Sequence, residues 1–270
     1  MCRLAAFPPH FPQDKALEIL LEMEGGNTDG VGSAHLNADG EFVVQKWPTS
    51  LSKLIEKPTP FLQHMAGDGH NGWTITHLRA KSHGEVAMKN THPFVIDNKW
   101  AFCHNGVWGD YDVVKLALSK TVKFEGETDT EVAGHLFNIA GAKAFCDTID
   151  TAGVFLALRK DGALYIVKTS GSLEFTELDN GKILGASDLK RVEWNKAECV
   201  QAGWYYFKKD GTLQKSGRKT SYFSTGHSYP YTGYNSSTAG DKWLPAAFKD
   251  KDKDKDEKTI TAGYESLYEE

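Results

Sequence analysis

The sequence predicts an α+β fold built on antiparallel sheet. Two segments carry helical spacing, two Asp-Gly turns join apolar runs into hairpins, and hairpins outnumber strand–helix–strand units.

Asp14 to Glu24 has Asp14 as an N-cap and Leu17, Leu20 and Leu21 at helix spacing. Gly25, Gly26, Asn27, Asp29 and Gly30 follow as a turn-rich stretch in which unusual backbone angles are expected. Strand-like runs cover Glu41 to Trp47, Trp73 to Leu78 and Lys99 to His104. Thr128-Asp129-Thr130-Glu131 has the form of a capping box, in which Thr128 and Glu131 satisfy each other's backbone N–H groups. The helix it opens runs to about Phe145, with Val132, Leu136, Ile139 and Ala140 on one face. Val154 to Leu158 and Ala163 to Val167 flank Asp161-Gly162, and the aromatic run Trp204 to Phe207 precedes Asp210-Gly211; each reads as part of a hairpin.

Composition changes after about residue 216. Ser221 to Gly240 is rich in Ser, Thr, Gly and Tyr, and Lys249 to Lys258 alternates Lys and Asp with almost nothing apolar. Such a segment buries too little surface to offset the entropy of ordering. The expected organisation is a folded domain over 2–216 and a low-complexity, disordered charged tail over 217–270. Tyr264, Leu267 and Tyr268 offer the alternative of a docking peptide in that tail.

The 270 residues are 40% hydrophobic, enough for a sizeable core without staples. A net charge of −5 excludes a general nucleic-acid surface, which needs a basic excess. No run of 18 apolar residues occurs, so no membrane partner is expected. The N-terminus breaks at Pro8 and Pro9 before any long apolar stretch and does not read as a signal peptide. Cys2, Cys103, Cys146 and Cys199 form no CxxC pair and read as free thiols, which points to a reducing, cytoplasmic compartment.

The first chemical candidate is Cys2. Met1 is normally trimmed before a small second residue, which would leave Cys2 with a free α-amine. An α-amine has a pKa of about 7.7–8.0 and can act as general base for its own thiol. Further candidates fall in three polar segments: His77-Leu78-Arg79-Ala80-Lys81-Ser82-His83-Gly84, Asn90-Thr91-His92-Pro93-Phe94 and Phe102-Cys103-His104-Asn105-Gly106. Each ends or follows a strand-like run, where sites tend to be built.

With Cys2, Asp29-Gly30-Val31-Gly32 and Thr128-Asp129-Thr130-Glu131, these segments resemble the class II glutamine amidotransferase domain in order and spacing, over roughly residues 2–190. That family belongs to the N-terminal-nucleophile hydrolases, and the Met-Cys-Arg start looks like its stand-alone branch. The resemblance implies a four-layer αββα sandwich over about residues 2–215. It implies that Cys2 attacks the side-chain amide of glutamine, giving a γ-glutamyl thioester, ammonia and then glutamate. Asn105, by its side-chain amide, and Gly106, by its backbone N–H, would form the oxyanion hole. Asn-Gly is also the commonest hairpin turn, and a turn that exposes its N–H groups is compatible with that role. Arg79 resembles the arginine that grips the substrate α-carboxylate, and Asp129 the acid that binds the α-ammonium.

Many members have an aromatic residue after that arginine and a threonine two later, where this chain has Ala80 and Lys81, followed by Ser82 and His83. Ser82 and His83 are therefore expected among the substrate-binding residues, and the γ-glutamyl substrate is less determined than the reaction. His77, His83, His92 and His104 are read as structural hydrogen-bonders. No cofactor is needed for amide cleavage.

Other readings make different demands. A metal-dependent hydrolase would need ligand spacing that these histidines, 6, 9 and 12 residues apart, do not have. A Cys103–His104 hydrolase would need adjacent strand residues to meet, although they face opposite ways. An inactive binding protein with the same fold would not need Cys2, Arg79, Asn105, Gly106 and Asp129 together. The expected partners are glutamine or another γ-glutamyl amide, and a separate ammonia-accepting enzyme, since the tail is too polar to be a synthase domain. A free-standing hydrolase of another γ-glutamyl amide remains the alternative.

Overall fold

A computed structural model describes residues 2–150, 152–192 and 196–219; of the tail expected over 217–270, Gly217 and Arg218 belong instead to the last strand, where they pair with Trp204 and Gly203, and 220–270 lies outside the described residues. In chain order the elements begin β1 (Arg3–Phe7), α1 (Gln13–Glu24), β2 (Gly30–Leu36), β3 (Phe42–Trp47), α2 (Leu51–Leu54), α3 (Phe61–His64) and β4 (Thr74–Arg79). They continue with β5 (Phe94–Ile96), β6 (Trp100–Gly106), α4 (Tyr111–Leu118), α5 (Asp129–Thr148), β7 (Gly153–Arg159) and β8 (Leu164–Lys168). The last are β9 (Glu174–Glu177), β10 (Ile183–Ala186), β11 (Glu198–Cys199), β12 (Gly203–Phe207) and β13 (Leu213–Arg218).

Two sheets form, ordered β11-β9-β10-β1-β4-β2-β3 and β13-β12-β8-β7-β6-β5. Every ladder among the described residues is antiparallel. Strand periodicity of two explains the layering. In β1, Ala5 and Phe7 join Ile19, Leu20 and Met23 of α1 in an outer core, while Leu4 and Ala6 are buried on the opposite face. On the second sheet, Phe102 and Phe155 lie under Phe137 and Phe145 of α5. The sheets meet through rings. Trp73 beside the first sheet stands edge-on to Phe207 of the second, with centroids 5.2 Å apart, and Phe175 meets Phe207 at 5.4 Å. The expected αββα sandwich follows from these two outer helical cores and the ring-filled interior.

Both Asp-Gly hairpins form as expected, joining β7 to β8 and β12 to β13. Local details differ. Helix α1 starts at Gln13 after Pro12, with no side-chain cap, so Asp14 sits in the first turn rather than at the N-cap. Of the five residues in the turn-rich stretch only Gly25 has positive φ, at 47°, and Gly30 already belongs to β2. The capping box does not close. Thr128 makes no side-chain cap bond, and Glu131 instead accepts from the N–H groups of Glu125 and Gly126 at 2.8 and 2.7 Å, because the preceding loop folds back over the helix start. The buried stripe of α5 is also rotated from the expected face. Ala133 and the large ring of Phe137 take the core positions, and Ile139 is exposed. Asn105 and Gly106 are no hairpin turn; they end β6, paired with Val154 and Gly153.

Candidate active site

Register brings the start of the chain to the polar motifs. Strand β1 pairs with β4 so that Arg3 faces Leu78 and Leu4 faces His77, which sets Cys2 beside the end of β4. There the Cys2 thiol lies 3.3 Å from the Ala80 carbonyl oxygen and 3.4 Å from the Ala80 N–H. Burial pushes the thiol up, and the Ala80 contact and the Arg79 charge pull it partly back. A thiol held up in this way needs a base to become a nucleophile. Arg3 closes over the Cys2 backbone, donating to the Cys2 carbonyl at 3.2 Å and pairing with Asp188 at 2.6 Å.

The motif at Asp29 to Gly32 supports the same corner. Gly30 pairs with Arg79, and the Asp29 carboxylate accepts from Lys81 N–H at 2.8 Å. A Cβ on Gly32 would stand 2.1 Å from the His92 carbonyl oxygen, so only glycine lets that segment pass. Asn90 is fully buried and staples two walls: its side-chain oxygen accepts from Glu127 N–H at 2.8 Å, and its amide nitrogen donates to the Glu85 carbonyl at 3.2 Å. Asn90 therefore shapes the site without lining it, while His92 of the same motif reaches the recess.

Cys2, Arg79, Ser82, His83, Gly106 and Asp129 line one tight recess, with Ala80, His92, His104, Thr128 and Thr130 completing it. Asn105 is buried behind its wall. Its amide nitrogen donates to Ser187 Oγ at 3.4 Å, which occupies one of two N–H bonds and leaves the second for another acceptor. Gly106 is held by close backbone approach, since a Cβ there would lie 1.9 Å from the Ala152 carbonyl oxygen.

Arg79 is buried, and its terminal nitrogens donate to the His83 and Glu85 carbonyls at 2.7 and 3.1 Å. The arginine expected to grip a carboxylate thus also holds the loop carrying Ser82 and His83. Asp129 accepts from Trp108 N–H at 2.8 Å and lies 3.7 Å from His104 Nδ1. Behind them, His77 Nε2 is 3.0 Å from the His104 carbonyl and 2.8 Å from His92 Nδ1, and burial pushes His77 down to about 3 and His92 well down. Both rings sit in a buried hydrogen-bonded cluster, the structural role expected of His77 and His92. Cys103 is fully buried with its thiol pushed far up by desolvation, so no Cys103–His104 pair operates. Among the described residues no group of three or more His, Cys, Asp and Glu is arranged to hold a metal.

Sequence reasoning missed Ser187, Trp108 and Thr130. Ser187 follows a four-residue strand and carries no local signature; only its pairing next to β1 makes it part of the site.

The two-sheet sandwich, with a cysteine just ahead of the leading strand and polar strand ends across from it, has the fold of the N-terminal-nucleophile hydrolases. The chain belongs to the class-II glutamine amidotransferases, whose family pattern matches residues 1–152 and whose homologues are N-terminal-nucleophile glutamine amidohydrolases. It is 32% identical over 161 residues to a protein described as glutamine–fructose-6-phosphate aminotransferase (isomerizing) of Mycolicibacterium smegmatis, covering 58% of this chain and 25% of that one. It is 32% identical over 209 residues to the protein of the same description from Bacillus thuringiensis subsp. konkukian, covering 72% and 33%. The chain spans about a quarter to a third of the length of these relatives.

The fold is similar to that of glutamine phosphoribosylpyrophosphate amidotransferase from B. subtilis, with a TM-score of 0.64 at 17% identity over 81% of this chain and 49% of that one. It is also similar to a glutamine aminotransferase class-II domain protein from Silicibacter pomeroyi, with a TM-score of 0.51 at 15% identity over 81% and 99%. No helix among the described residues is long and apolar enough to cross a membrane.

Proposed function

We propose that this domain hydrolyses the side-chain amide of glutamine in the cytoplasm and hands the ammonia to a separate acceptor enzyme. The observation that carries the reading is the shared recess. Cys2, Arg79, Gly106 and Asp129 line one tight recess, and the opposite charges of Arg79 and Asp129 match those of a zwitterionic amino acid.

In this mechanism the α-amine of Cys2, freed by loss of Met1, takes the thiol proton. The sulfur attacks the amide carbon, and the oxygen becomes an oxyanion that accepts from the second Asn105 N–H and the Gly106 N–H. The protonated α-amine gives its proton to the departing nitrogen, and ammonia leaves. Water activated by the same amine then attacks the thioester and releases glutamate. Arg79 pairs with the α-carboxylate and Asp129 with the α-ammonium; Ser82 and His83 close the entrance.

A panel of glutamine, glutathione-like and other γ-glutamyl amides tests the reading, run on the wild type, on Cys2→Ala and on protein with residues fixed ahead of Cys2. Turnover of glutamine by the wild type alone supports it. Preference for a larger γ-glutamyl amide would replace the substrate, and activity in Cys2→Ala would overturn the mechanism.

A further inference from the structure

His104 links the two halves of the recess. Its ring stacks on Phe155 with centroids 4.3 Å apart and planes 7° from parallel, so it has no freedom to turn. Its Nε2 lies 2.9 Å from the Ala152 carbonyl oxygen, which can only accept, so Nε2 carries the ring proton. In the neutral ring Nδ1 is therefore a bare lone pair. It takes the Thr130 hydroxyl at 3.4 Å and stands 3.7 Å from Asp129 Oδ2 without a proton to share.

A second proton changes that relation, because the only place for it is Nδ1, directed at Asp129. We propose that His104 is a positioning residue that competes with the substrate α-ammonium for Asp129: the neutral ring leaves the carboxylate's charge to the substrate, and the protonated ring takes it. The inference rests on Asp129 binding the ammonium, as proposed above.

The groups facing His104 are few. Asp129 and Thr130 come from α5, His83 from the loop after β4, His77 from β4, and His92 from the segment before β5. Burial, with a smaller push from His83, holds the ring below the usual histidine range; Asp129 and the Ala152 carbonyl favour the charged ring. Competition of this kind is reciprocal. Affinity for glutamine falls as the medium is acidified through the His104 titration, and bound glutamine makes His104 harder to protonate.

The test uses the full chain with Cys2→Ala, which binds without turnover. Calorimetry with L-glutamine is expected to show binding at least about threefold weaker below the His104 titration, located from its ring resonance, than above it. His104→Gln in that background keeps a donor for Ala152 and cannot charge, so its affinity is expected to be flat. His83→Gln, altering the other imidazole of the recess, keeps the fall. An unchanged acid weakening in His104→Gln overturns the proposal.

The His104 ring resonance supplies a second readout, independent of any ligand. Asp129→Asn is expected to move its titration to lower pH, and an unmoved titration overturns the proposal even if His104→Gln fails to fold. Absence of glutamine binding at every pH would instead sink the glutaminase reading, while the effect of Asp129→Asn on the His104 titration would still be read.

Discussion

Asn105 and Ser187 are joined by a hydrogen bond of 3.4 Å, and the Ser187 oxygen also accepts from Leu4 N–H at 2.9 Å. One hydroxyl thus ties the proposed oxyanion residue of the second sheet to the strand that follows the proposed nucleophile in the first. Ser187→Ala is expected to lower kcat about tenfold with little change in KM, because the Asn105 amide loses its orientation and not its donors. Asn105→Ala removes the donor itself and is expected to cost about 10²–10³ in kcat. Steady-state ammonia release measures both, and equal losses would refute the positioning role of Ser187.

Gly106 and Gly153 face each other where β6 ends and β7 begins. A Cβ on Gly106 would lie 1.9 Å from the Ala152 oxygen, and one on Gly153, at φ 130°, would lie 2.2 Å from the Asn105 oxygen. Either alanine substitution must spread the two strands. A loss of about 2–4 kcal/mol in unfolding free energy is expected, together with loss of turnover. Urea unfolding followed by tryptophan fluorescence reads the first.

Arg79 serves two partners, the loop carbonyls of His83 and Glu85 and the proposed substrate carboxylate. Lysine keeps the charge and loses the fork. Arg79→Lys is therefore expected to raise KM for glutamine by about tenfold or more and to speed proteolytic cleavage within residues 81–90. A KM effect without faster cleavage would show that the loop does not depend on the guanidinium.

Acid stability has a defined sign. His77 is fully buried and held at about 3, below its unfolded value of about 6.5, so the native state resists a proton that the unfolded chain accepts. Full stability is present above about pH 6.5 and is lost at about 1.4 kcal/mol per pH unit as the pH falls toward 3. His35, also held at about 3, acts in the same direction. His77→Gln is expected to flatten the acid limb of a urea-midpoint profile by the share of one histidine, while Lys or Arg there would abolish folding. An acid limb as steep in His77→Gln as in the wild type would contradict the burial of a neutral ring.

The residues by themselves determined the hairpins at Asp161-Gly162 and Asp210-Gly211, the helices after Pro12 and Thr128, and the family, through the ordered motifs from Cys2 to Glu131. Turn chemistry and periodicity act over a few residues, so they can be read locally. The starts of α1 and α5 were legible to within a residue, but their caps and buried faces were not, and α2, α3 and α4 were not read at all. Glu131 turned to the Glu125–Gly126 backbone and Phe137 displaced Ile139, and both outcomes depend on what packs against the helix.

Tertiary structure alone decided that Ser187, 185 positions beyond Cys2, sits between Leu4 and Asn105, and that His104 faces Asp129. Strand order in the two sheets sets these neighbours. That order is a property of long-range pairing across the sandwich, which no window of the sequence encodes.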